Sequence, residues 1–236
     1  AAQKKARMVP VGVICSRGLL DELSNVEEIE SLIEILRRCG LERYADVLSL
    51  AETVDVKSRL TLESRLDGAY YQDMLAAAGD LREGHVLSSA LGFIIDLLNL
   101  QMVLRSVARG SGHEVMEYTL SGGCMLSAEI ISELLSLKLP DIPGRLEDTF
   151  YYQVGQEVVV NYEKTHSLTA IEEVIDKHRF QLLRDTLVPR VMMSSLLISW
   201  YLILKEMELR NLRLVAKSLL DNISLDGAKS LLVGPS

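Results

Sequence analysis

Apolar residues recur along this chain at helical spacing, interrupted at short intervals by glycine or proline. Glu27–Arg38 carries Ile29, Leu32, Ile33 and Leu36, an i, i+3, i+4, i+7 face that predicts an amphipathic helix. Gly40 stands where a left-handed cap is expected, and Leu41–Leu50 continues as a second helix. A third helix is predicted from about Ser58 to Ala78, then a break at Gly79–Gly84 and a long helix ending near Arg109. Gly110-Ser111-Gly112 is the clearest linker. In the second half, Gly122-Gly123 opens a short helix around Ala128–Leu137, Leu139–Pro143 breaks the pattern, and Arg145–Tyr162 returns to it. Thr169-Ala-Ile-Glu172 reads as a capping box for a helix running toward Arg184. Pro189 precedes the longest helix, Val191–Leu220, and Ser224 is placed to cap a short final one before Gly234-Pro235.

The two halves resemble each other. Asp96–Val107 aligns without gaps with Glu208–Leu219, and Leu97/Leu209, Asn99/Asn211, Leu100/Leu212, Val103/Val215 and Ser106/Ser218 are identical. Shared amphipathicity explains matched leucines, but not an acid, an amide and a hydroxyl at the same offsets. The expected organisation is therefore two tandem related helical units, 1–112 and 113–236. On a helix, Asp96, Asn99, Val103 and Ser106 form one stripe, and Glu208, Asn211, Val215 and Ser218 repeat it. Such a stripe suits a face that is partly buried yet needs hydrogen-bond partners.

Composition supports an all-α fold. Aromatic residues make up only 5% of the chain, too few for the alternating strands of a β-sandwich, while leucine, alanine and glutamate favour helix. The formal net charge of −8 disfavours nucleic acid as a partner. Cys15, Cys39 and Cys124 are odd in number and widely spaced, which suggests neither a disulfide framework nor a zinc site and fits a reducing cytoplasm. Met8–Cys15 follows basic residues but is interrupted by Pro10 and Gly12, unlike a signal peptide. Val191–Leu204 is uncharged, but its 14 residues suit a buried core helix better than a transmembrane span, so no transmembrane segment is expected.

Catalytic signatures are missing. The sequence has no Gly-x-x-x-x-Gly-Lys-Ser/Thr, no Gly-x-Gly-x-x-Gly after a strand, and no Gly-x-Ser-x-Gly. His113-Glu114 opens like a zincin helix, but no second histidine completes it; His85, His113, His166 and His178 share no ligand spacing. The acidic pairs Asp21-Glu22, Glu27-Glu28 and Glu172-Glu173 read as first-turn residues near a helix dipole. Tyr70-Tyr71 and Tyr151-Tyr152 read as packing residues. Neither catalytic, cofactor-binding nor metal-binding residues are expected.

Trp200–Lys217, with its Glu208-Leu-Arg-Asn-Leu-Arg213 core, resembles the C-terminal signature of the family formed by the archaeal and bacterial C subunits and eukaryotic d subunits of rotary ATPases. Asp96–Arg105 resembles that family's internal Asp-x-x-Asn segment, and Gly122–Leu126 and Tyr151-Tyr152 also fit. The resemblance spans about Gly18 to Leu232. It implies a funnel-shaped, non-catalytic component of the central stalk on the cytoplasmic side of the membrane. Such a component has the shaft subunits and the membrane rotor ring as partners, and couples rotation to ion transport or ATP synthesis. Family members usually have three helical units, so a unit preceding Ala1 is expected to be missing. Asp96, Asn99, Arg105, Glu208, Arg210, Asn211 and Arg213 are the expected partner-binding residues, facing a central cavity or holding the helix bends that shape it. The plainer expectation is that Glu208 and Asn211 satisfy backbone groups of neighbouring helices, with Glu206–Arg210 an i,i+4 surface pair. Two other readings remain: a helical-repeat adaptor for another partner, or a small-molecule enzyme.

Overall fold

A computed structural model describes residues 17–53, 59–111, 113–190, 194–220 and Leu232. Met8–Cys15, the expected start at Val191 and the final helix after Ser224 lie outside the described residues. Among the described residues there are ten α-helices and no strand: α1 Arg17–Asn25, α2 Ile29–Arg38, α3 Glu42–Thr53, α4 Arg59–Gly79, α5 Gly84–Arg109, α6 Ala128–Ser136, α7 Ile142–Arg145, α8 Tyr152–Thr165, α9 Leu168–Leu187 and α10 Ser194–Leu220. The fold is all-α. Short 3-10 turns at His113–Tyr118, Leu139–Asp141 and Val188–Arg190 join some of them.

Two boundaries differ from the sequence expectation for local reasons. The helix expected over Arg145–Tyr162 is broken. The Thr149 hydroxyl donates to the Leu146 carbonyl at 2.8 Å and accepts from the Tyr151 N–H at 3.1 Å, offering the backbone an alternative to the helical ladder. The turn that results sends Leu146 and Tyr151 fully into the core. At the start of α9 the cap is Ser167, whose hydroxyl accepts from the Thr169 N–H, and not Thr169 itself. His166, in the left-handed region at φ 50°, makes the corner that precedes it. Helix α1 and the 3-10 turn at His113 are not signalled by periodicity.

By compactness the chain divides into Ala1–Tyr70 and Tyr71–Ser236, a boundary that falls inside α4. In the first unit, α2 and α3 pack as a hairpin around Ile33, Ala45 and Leu48. Exposed ion pairs, Arg38 with Glu22 and Arg37 with Asp46, decorate it.

The second unit is built on α5, with α9 packed along it and α8 packed on α9. Leu97, Leu100, Val103 and Leu104 of α5 meet Leu126, Leu134, Tyr151, Val158 and Ile171 in the main core. Val86 and Ala90, nearer the start of α5, join Leu183, Leu187 and Leu196 in a second cluster, against which Trp200 and Ile203 of α10 pack. Helix α5 is also long and apolar enough to cross a membrane, a question that the absence of charge raises in the sequence only for Val191–Leu204. Over half of its most apolar stretch is buried against protein, as in the central helix of a folded core.

Candidate functional site

The polar stripe of α5 sits inside the core. Asp96 and Asn99 have no exposed surface. A buried carboxylate needs charge-assisted partners, and Asp96 has four. Oδ2 accepts from the N–H groups of Cys124 at 3.0 Å and Met125 at 2.7 Å, and from the Tyr151 hydroxyl at 2.8 Å. Oδ1 accepts from the Leu126 N–H at 3.2 Å. Asn99 exchanges two bonds with the backbone of Leu120: its amide donates to the carbonyl, and its oxygen accepts from the N–H, each at 2.8 Å. Ser106 donates to the Ser111 carbonyl at 2.5 Å. One stripe thus pins the returning chain at Ser111, Leu120 and Cys124–Leu126.

Glycine makes the approach possible. Gly122 lies at φ 102°, and a Cβ on Gly123 would overlap the Asp96 carboxylate. The Gly122-Gly123 pair, expected to open a helix, instead lets the backbone lie against α5. Gln72 of α4 reinforces this by donating to Ser121.

The same geometry removes Asp96 from chemistry. Every donor it meets is a backbone amide or the Tyr151 phenol. Burial, then the charge and hydrogen bond of Asp96, push that phenol far above the ordinary tyrosine range, so it stays protonated. Burial and Asp96 likewise raise the Cys124 thiol. Arg105, the last expected site residue on α5, pairs with Glu172 of α9, and both are partly exposed.

Helix α10 is arranged differently. Glu208 is exposed and bonded to Lys205 one turn earlier at 2.6 Å. Arg210 pairs with Asp176 of α9 and not with Glu206, and Arg179 meets the same carboxylate at 3.2 Å. Asn211 is half-buried, and Arg213 is exposed. The structure therefore brings Asp96 and Asn99 together on one loop, and Arg210 onto α9. It does not gather the seven expected residues at one site.

Sequence reasoning missed an apolar surface. The core-facing side of α10 runs through Leu196, Trp200, Ile203 and Met207. Its opposite side shows Leu197, Ile198, Tyr201, Leu202, Leu209 and Leu212, each more than half exposed. The signal was present in the sequence, since α10 carries apolar residues around nearly its whole circumference.

Elsewhere, an open cleft of about 370 Å³ is bordered by Glu147, Phe150, Gln153, His178 and Asp185. His178 Nε2 meets Glu157 at 2.8 Å, and Lys177 donates to the same carboxylate at 2.7 Å. Burial favours a higher value for Glu157, but the hydrogen bonds and charges of Lys177 and His178 outweigh it and hold this acid below the usual range. Of the two hydroxyls that border the cleft, that of Thr149 is committed to the Leu146 carbonyl and that of Tyr152 accepts from the Gln156 side chain at 2.7 Å. Among the described residues, no three His, Cys, Asp or Glu side chains converge as a metal site would require.

The sequence profile of the ATP synthase (C/AC39) subunit family matches residues 2–230. The chain belongs to this family. Relatives in it include the C subunit of the A-type ATP synthase of Methanocaldococcus jannaschii, 25% identical over 99% of this chain and 58% of the relative. The corresponding A-type ATP synthase protein of Methanosphaera stadtmanae is 24% identical over 84% of this chain and 52% of its own length. That of Halobacterium salinarum is 25% identical over 91% of this chain and 61% of its own. The chain thus spans a little over half the length of these ATP synthase (C/AC39) relatives. No solved structure shows a significant match.

Proposed function

We propose that the chain is a non-catalytic subunit of an A-type rotary ATP synthase, part of the central stalk that passes rotation between the shaft and the membrane rotor ring. The observation that carries this reading is the family match along 2–230, shared with relatives that are named as C subunits of A-type ATP synthases. Such a subunit is peripheral to the membrane on its cytoplasmic side and needs neither cofactor nor metal of its own. Its task is mechanical, so rigidity matters more than reactive groups.

The geometry suits that task. Asp96 and Asn99 bind a bend of the chain to the central helix, and Arg105 ties that helix to α9. Glu208 and Asn211 repeat the first two, and we assign them the same bend-holding role toward a neighbouring segment. Arg210 steadies α10 through Asp176, which leaves the exposed Arg213 as the charged group offered to a shaft subunit.

The chain, tagged and recovered from gently solubilised native membranes, is expected to bring down shaft and ring subunits of an A-type ATP synthase. Recovery with an unrelated set of partners would support the adaptor reading instead and overturn this one. Arg213→Glu should weaken shaft binding at least tenfold with the melting temperature unchanged. Unaltered binding would remove Arg213 from the interface.

A further inference from the structure

Where α10 meets α9, the charges do not match one to one. Helix α10 runs back along α9: Trp200 lies against Phe180 with ring centroids 5.7 Å apart, and further on Arg210 pairs with Asp176 through Nη2. Asp176 also takes Arg179 of its own helix at 3.2 Å, so one carboxylate serves two guanidinium groups. Arg210 Nη1, meanwhile, is buried with no hydrogen-bond partner. A buried, charged donor left unsatisfied is costly, and such groups are rare in folded proteins unless a second arrangement uses them.

A second partner stands three residues earlier on α9. Glu172 is taken by Arg105, but Glu173 makes no hydrogen bond or ion pair among the described residues. Glu173 and Asp176 share one face of the helix, about 4.5 Å apart along its axis. Partial burial lifts the Glu173 carboxyl above the usual range against the pull of Arg210, so the guanidinium is already within electrostatic reach. Packing weakens at the same point. The core-facing side of α10 ends at Met207, and no residue from 208 to 215 is buried. A helix segment with few buried contacts is one that can move locally while the rest of the fold stays closed.

We propose that Arg210 is a two-station latch, exchanging between Asp176 and Glu173 and so letting the outer half of α10 shift along α9 without leaving it. At the first station Arg210 shares Asp176 with Arg179. At the second, Nη1 gains a carboxylate, Asp176 keeps Arg179, and Leu209, Leu212 and Arg213 move with their helix toward the start of α9. Discrete shifts of one packed helix past another by about a turn are a known form of conformational change. The latch concerns how α10 sits on α9, and it stands whichever partner the chain meets.

Hydrogen exchange of the backbone amides of residues 208–215 in the 236-residue chain tests it, with the amides of α5 as the measure of an intact fold. Asp176→Asn and Glu173→Gln each leave one station, and each should quicken exchange no more than about threefold. The double variant leaves none and should quicken it by about thirtyfold or more, beyond the product of the two single effects. Arg210→Gln should match the double variant, and Arg179→Ala should change exchange less than about twofold. Asp176→Asn alone matching the double variant would overturn the latch, and so would single effects that simply multiply. Should the double variant loosen α5 as well, the gap between Asp176→Asn and Arg210→Gln decides: about tenfold supports two stations, and equality leaves Asp176 as the one partner and overturns the proposal.

Discussion

Leu97 and Leu209 hold the same place in two helical segments that align in sequence, yet Leu97 is 1% exposed and Leu209 is 54% exposed. The acids beside them differ as sharply. Asp96 has four internal donors, whereas Glu208 reaches only Lys205 on its own helix. The lesson is that a periodic apolar-and-amide pattern specifies a face able to receive a neighbour, and the rest of the chain decides whether a neighbour is present. The same residues are core in one helix and surface in the other.

The comparison breaks most readily at the acids. Asp96→Ala would strand three backbone N–H groups and the Tyr151 hydroxyl in the interior, at a cost on the order of 4 kcal/mol in urea unfolding. Glu208→Ala should change stability by no more than about 0.5 kcal/mol, because its pair is exposed and within one helix. Similar costs for the two would erase the distinction.

A smaller effect belongs to the phenol. Tyr151→Phe removes one of the four donors to Asp96 and should cost about 1–2 kcal/mol at neutral pH. The raised folded-state value of Tyr151 fixes the sign of its pH dependence. Its contribution to stability is fully present below the ordinary tyrosine value of about 10, and is lost as pH climbs above that value. Unfolding measured from pH 8 to 11 should steepen above about 10 in the native chain and flatten in Tyr151→Phe. On α10 the corresponding group is Lys205, raised by its hydrogen bond to Glu208, but it is exposed and solvent screens its step at high pH.

The smallest effect sharpens the comparison at its edge. Arg105 and Glu172 are each about a third or more exposed, so Arg105→Ala should cost no more than about 1 kcal/mol, shrinking further with added salt. A salt-independent loss of several kcal/mol would mean that the pair is part of the buried clamp.

Much of this was legible in the sequence. Helical periodicity, few aromatics and long stretches without proline gave the all-α class, and the polar spacing of Asp96, Asn99 and Ser106 marked a helix face in need of hydrogen-bond partners. The stripe's occupant in the first copy was not legible, although two clues bore on it. Asp96 lies in a helix long and apolar enough to cross a membrane, where an acid must find donors, and Gly122-Gly123 marks a place where backbone can approach closely. Pairing them requires knowing that the chain turns back after Gly110, and nothing in local spacing says so. The break between α7 and α8 was hidden because it depends on the Thr149 hydroxyl and the pull of Tyr151 into the core, not on a glycine or proline. The open face of α10 was hidden for the opposite reason, since apolar residues on both sides of a helix predict burial on both.

The most direct test of the comparison places one charge at each equivalent leucine, as Leu97→Lys and Leu209→Lys, and measures unfolding of the 236-residue chain. A lysine at 97 must be buried among Leu126, Leu134 and Tyr151 and should abolish the cooperative transition or lower stability by more than about 4 kcal/mol. A lysine at 209 meets solvent and should leave stability within about 0.5 kcal/mol of the native chain. Comparable losses at both positions would contradict the account, because they would show that the second face is already buried in this chain.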